Sequence, residues 1–215
     1  MSKYKNKYRV ESHRMPNWDY SGNGIYYLTI CINNRLCLLG NVENGQMLLN
    51  EYGKIAYNEW EISSEIRSEI KLDEFVIMPN HLHGIVIINN DNKQNNDMDD
   101  IDGTHDMDGT HVETHGRVSL HPTHPIPPSQ PKLYRKPKSI SSFIAGYKSS
   151  VTTQINKIIT KNNGQLFNRK NRLWQVNYYD RIVRNKNDLR RIQKYIINNP
   201  INWKNDRNNQ EGLWI

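Results

Sequence analysis

Cysteine is nearly missing: Cys31 and Cys37 are the two in 215 residues. Two cysteines make no disulfide framework, and a reducing cytoplasm is the expected setting. No uninterrupted apolar run approaches the ~18 residues that a membrane-spanning helix needs, so no membrane association is expected. The N-terminal MSKYKNKYRV is basic but lacks the apolar core of a secretory signal. No Walker-type phosphate loop is present, so chemistry driven by ATP is not indicated.

Positive charge is what the chain has in excess. Its formal net charge is +7, which favours nucleic acid or another polyanion as partner. The charge is unevenly spread. Residues 89–131 hold eight acidic and two basic residues, a net of −6, so the remainder carries +13. That segment repeats Asp-Gly-Thr-His twice, continues into HPTHPIPPSQP, and contains five of the eight histidines. Its low apolar content predicts a disordered insertion in a single domain of residues 1–215. Its histidines read either as a metal-binding tract or as repeat expansion in a tolerated loop. The second reading is favoured, because disordered ligands must be ordered on binding.

Outside the insertion, strand and helix patterns alternate. IYYLTICIN (25–33) is β-branched and aromatic and predicts a core strand. Asn44-Gly45 between two short apolar runs predicts a type I′ hairpin within 37–50. Residues 51–64 predict a helix capped by Asn50, with Tyr52, Ile55, Ala56 and Trp60 on one face. Strands follow at 72–78 and 81–88 around Pro79-Asn80. A second helix is expected at 139–157, with Ile140, Phe143, Ile144, Tyr147, Val151 and Ile155 at helical spacing. RLWQVNYYDRIV (172–183) reads as a last strand region. NKNDLRRIQKYIINNP then reads as a helix capped by Asn185, facing inward through Leu189, Ile192 and Ile196 and stopped by Pro200. This βαββαβ order predicts an α+β, ferredoxin-like or RRM-like palm: an antiparallel sheet with helices on one face, plus a C-terminal helix.

In FVIMPNHLHGIVII (75–88), two histidines interrupt an otherwise apolar strand pattern. Strand side chains alternate, so His81 and His83 share a face, about 6–7 Å apart at Cα. A hydrogen-bonded pair and a shared divalent ion are both compatible with that spacing. Two imidazoles are too few for a closed structural zinc site. They suit an open site completed by oxygen ligands, as for Mg²⁺ or Mn²⁺.

MPNHLHG resembles the His-hydrophobic-His motif of HUH single-tyrosine transposases, most of all the REP-associated tyrosine transposases. YYLTICINNR, LWQVNYYDRIVRN and YIINNP are similar to that branch in the same order. The likeness covers roughly residues 8–90 and 133–203, and it implies the same palm. It also implies a nucleophile on the helix after the last palm strand, at Tyr195, and a third metal ligand at Asn199. Positions i and i+4 share a helix face, which would let both look at one site. Tyr178 and Tyr179 are the competing pair of tyrosines, on the strand side of the preceding turn.

The implied reaction is metal-dependent cleavage and rejoining of single-stranded DNA at hairpin-bearing ends, through a 5′-phosphotyrosine. The implied partner is single-stranded or hairpin DNA, bound by a monomer or a homodimer. Candidate DNA contacts are Lys3, Lys5, Lys7, Arg9 and Arg14 in the N-terminal arm, and Tyr134, Arg135, Lys136 and Lys138 before the second long helix. Two other functions share parts of this pattern. A non-catalytic RRM-like binding module would need neither the histidines nor Tyr195. A metal phosphoesterase using water would not need Tyr195.

Overall fold

The computed structural model describes residues 18–90 and 136–209, together with the backbone of two short paired strands, β1 (Lys3–Tyr4) and β2 (Lys7–Tyr8). Nearly all of the expected insertion lies outside the described residues. The main chain order is then β3 (Gly24–Cys31), β4 (Gly40–Glu43), β5 (Gln46–Leu49), α1 (Glu51–Ile66), β6 (Ile70–Met78) and β7 (His81–Ile88). It continues through α2 (Ile140–Lys161), β8 (Tyr179–Ile182) and α3 (Lys186–Ile197).

Local chemistry accounts for most boundaries. Asn44 and Gly45 both have positive φ, 51° and 76°, as the type I′ turn between β4 and β5 requires. The Asn50 side chain accepts the Gly53 N–H, Ser139 accepts that of Ser142, and Asn185 accepts that of Asp188; each caps a helix start. α3 ends at Ile197, three positions before Pro200, so Asn199 lies beyond the helix rather than on it.

The strands β6-β7-β3-β8 form one four-stranded antiparallel sheet. This is the α+β, ferredoxin-like palm. The last strand region is shorter than the sequence suggests. Only Tyr179–Ile182 join the ladder, and Trp174 makes an isolated bridge to Ile32. The Lys148 ammonium binds the carbonyls of Gln175 and Asn177 at 2.8 and 3.3 Å, which draws the intervening backbone toward α2.

Alternation along β3 and β7 divides the core into two layers. Tyr26, Leu28 and Ile30 with Leu82, Val86 and Ile88 face α1 and α2, where Trp60, Phe143, Tyr147 and Ile155 pack against them. The opposite face carries Tyr27 and Ile85, and it is covered by Val183, Ile192 and Ile196. The third helix therefore packs on the face that α1 and α2 leave open. A bidentate contact from Gln193 Nε2 to Asp73, at 3.1 and 3.0 Å, ties α3 to β6.

Gly84 shows why the histidine motif ends in glycine. A Cβ there would stand 2.5 Å from Cζ2 of the fully buried Trp60. Gly84→Ala is expected to cost ~1–3 kcal/mol by overpacking. For a chain of this size that lowers the melting temperature by on the order of 3–10 °C. Thermal unfolding followed by circular dichroism measures it, and an unchanged midpoint would refute this packing account.

Candidate metal and tyrosine site

His81 and His83 lie on β7, an interior strand, and both are fully buried. Their Nε2 atoms face each other at 3.0 Å. Two ring nitrogens this close could serve one metal ion.

The outer nitrogens are held by partners from several elements. The Asn80 amide group donates to the carbonyls of Arg35 and Asn208, at 3.0 and 2.8 Å. Its Oδ1 is thereby left as an acceptor, 2.8 Å from His81 Nδ1. His81 Nδ1–H donates to it, and Nε2 of the neutral ring keeps its lone pair for a cation. His83 Nδ1 lies 2.8 Å from the Tyr27 hydroxyl and 2.9 Å from Thr29 Oγ1. Both come from β3, and Thr29 is the cross-strand partner of His83. With an ion bound, Nδ1–H donates to these oxygens; without one, the rings can share a proton across the 3.0 Å gap.

Burial favours the neutral imidazoles that metal binding requires. It takes His81 down to about 4, with Asp206 opposing and Arg207 and Arg35 assisting. It takes His83 well below its ordinary value, helped by His81 and Arg207.

The chain after α3 folds back over these rings. Asp206 joins the histidines, and one potential ligand atom from each lies within 4.8 Å of the others. Asn199 Nδ2 donates to Asp206 Oδ2 at 3.2 Å, while the buried Asn199 Oδ1 has no hydrogen-bond partner. An orphaned buried acceptor of this kind costs ~1–3 kcal/mol. Two imidazoles and a carboxylate within this reach form a donor set that could hold a divalent metal ion.

Tyr195 stands on the last turn of α3. Its hydroxyl is 3.3 Å from His83 Nε2, and its ring meets those of His83 and Tyr27 edge-on, at 5.2 and 6.3 Å. Burial and then the Asp206 carboxylate raise the phenol pKa, whereas Asn199, Arg207 and Tyr27 pull it back.

The structure thus brings His81, His83 and Tyr195 together and adds Asn199 through Asp206. Tyr178 is elsewhere, half-buried against the α1–α2 core with Lys148 5.9 Å from its ring centre. Tyr179 is edge-on to Tyr27 at 6.3 Å and has Arg207 5.9 Å from its ring centre. Of the expected DNA contacts, Lys136 pairs with Asp19 at 3.3 Å and Lys138 is half-buried. Lys5, Arg9, Arg14, Tyr134 and Arg135 lie outside the described residues, and only the backbone of Lys3 and Lys7 is described. Sequence reasoning missed Tyr27, Thr29, Asn80 and Asp206. Tyr27 and Thr29 left a trace, as polar groups on alternate positions of an apolar strand; Asp206 left none.

No family model matches the chain. An uncharacterized protein of Haemophilus influenzae is 33% identical over 196 residues, 91% of each chain. The chain belongs to the same family as that protein. Among solved structures, it is similar to a REP-associated tyrosine transposase bound to a REP hairpin, at 16% identity and a TM-score of 0.48, covering 94% of this chain and 74% of the other. It is also similar to a proposed transposase of Deinococcus radiodurans, at 13% identity and a TM-score of 0.38, covering 88% and 97%. No helix among the described residues is long and apolar enough to cross a membrane.

Proposed function

We propose that this chain is a metal-dependent, single-tyrosine transposase acting on single-stranded DNA at hairpin-bearing ends. The observation that carries the reading is the Tyr195 hydroxyl 3.3 Å from Nε2 of His83, one of two facing imidazole nitrogens. His81 and His83 would hold Mg²⁺ or Mn²⁺, with Asn199 and Asp206 as oxygen donors. The bound ion supplies positive charge that polarises a phosphoryl oxygen and eases phenol ionisation. Tyr195 loses its proton to solvent, and its oxygen forms a bond to phosphorus. The bond from phosphorus to the 3′ oxygen breaks, and that oxygen takes up a proton. The 5′-phosphotyrosine retains the phosphodiester bond energy, so a 3′-hydroxyl can reverse the step without ATP. Cytoplasmic action, and a single domain in which residues 89–131 play no chemical part, belong to the same reading.

The RRM-like alternative fares poorly on one observation. RRMs bind RNA on an open sheet face, whereas α3 packs on the sheet face opposite α1 and α2. Incubating labelled hairpin DNA with the protein and Mn²⁺ tests the proposal. A covalent protein–DNA band on a denaturing gel is expected; cleavage without that band would indicate water as nucleophile.

The two oxygen donors can be separated by calorimetry. Asp206→Ala and Asn199→Ala are each expected to weaken Mn²⁺ binding by at least the ~10–100-fold that loss of an outer-shell partner costs. A variant that binds Mn²⁺ like wild type removes its residue from the ion's ligands.

A further inference from the structure

The corner where β8 meets α3 holds a second concentration of charge that the tyrosine chemistry does not use. A hollow of about 470 Å³ is lined there by Arg181, Arg184, Asn185, Asn187, Asp188 and Arg191. The largely buried Asp188 organises it: one carboxylate oxygen accepts from Arg181 at 2.9 Å and from Arg191 at 2.6 Å. A guanidinium carries five N–H donors, so each of these keeps most of them for another acceptor. Three guanidiniums against one carboxylate leave the hollow with a surplus of positive charge, on groups whose planar forks match phosphate oxygens.

We propose that this hollow binds a backbone phosphate of the DNA strand whose scissile phosphate meets Tyr195. The inference rests on the transposase reading for the identity of the strand. Two elements, β8 and α3, carry residues of both the hollow and the site. Along β8, Arg181 lies across from Tyr27, whose hydroxyl touches His83. Arg181 and the half-exposed Tyr179 point to the same side of this edge strand, and Arg207 lies over the Tyr179 ring. Such a cation-flanked aromatic suits a base between the two phosphates. Along α3, Asn185 and Tyr195 stand at opposite ends, about 15 Å apart by helical rise, a span of a few nucleotides. The α3 N-terminus adds a favourable dipole to an anion held there.

Arg184 is the residue to vary, because it is exposed and its replacement leaves both arginine partners of Asp188, Arg181 and Arg191, in place. Binding of labelled single-stranded dT20 and of hairpin DNA is followed by fluorescence anisotropy across a salt series. Arg184→Ala is expected to weaken both several-fold and to reduce the slope of log K against log salt by ~0.7, one single-strand phosphate contact. Arg184→Glu should weaken binding further, Arg184→Lys should restore the slope, and Mn²⁺ affinity should stay at the wild-type value in all three. If Arg184→Ala and Arg184→Glu bind like wild type while the wild type still forms its covalent adduct, the hollow does not contact DNA and the inference alone falls. If wild-type protein neither binds DNA nor forms the adduct, the inference falls together with the transposase reading.

Discussion

Tyr195→Phe is expected to fold, bind Mn²⁺ and bind hairpin DNA, yet form no covalent adduct and release no product. Phenylalanine keeps the ring contacts with His83 at 5.2 Å and Tyr27 at 6.3 Å. It removes only the oxygen that would attack phosphorus. Loss of a nucleophile in a site that otherwise stays assembled lowers turnover by at least ~10³-fold. Tyr178→Phe and Tyr179→Phe should still form the adduct, since both leave in place the Tyr195 hydroxyl that stands 3.3 Å from His83 Nε2. Peptide mapping of the wild-type adduct decides the assignment. DNA attached to Tyr178 or Tyr179 would preserve the enzyme class and overturn the nucleophile. Full cleavage by Tyr195→Phe would instead point to a water-using phosphoesterase.

His81→Ala and His83→Ala should each abolish adduct formation and weaken Mn²⁺ binding by more than ~100-fold, beyond the loss typical of an outer-shell residue. Each change removes one of two nitrogens that stand 3.0 Å apart and leaves one imidazole with the oxygen donors, too few protein ligands to hold the ion as tightly. Hairpin binding should be largely retained, because affinity for DNA comes mainly from phosphate contacts and stacking. Calorimetry with Mn²⁺, anisotropy with labelled DNA and circular dichroism for folding separate the three effects. Wild-type cleavage by either variant at limiting Mn²⁺ would end the metal assignment.

The sequence by itself determined what depends on near neighbours. Apolar periodicity marked the helices and strands, and Asn44-Gly45, Asn50 and Asn185 marked turns and caps, because those bonds close within a few residues. The histidine pair was legible for the same reason, since strand alternation puts positions 81 and 83 on one face whatever the rest of the chain does. Tyr195 as nucleophile rested on resemblance, and the fold supplied its proximity to His83 across 112 positions. Only the tertiary structure decided which face α3 covers, that Tyr27 and Thr29 hold His83, and that Asp206 joins the histidines. Those contacts close loops of 54 residues or more, or depend on a C-terminal segment anchored by Asn80 to the Asn208 carbonyl, 128 positions away. Asn199 shows the limit most clearly. Local spacing suggested a shared helix face with Tyr195, but α3 ends at Ile197. The Asn199 side chain still reaches the Tyr195 hydroxyl, and it also donates to Asp206, a partner that only the folded-back chain provides.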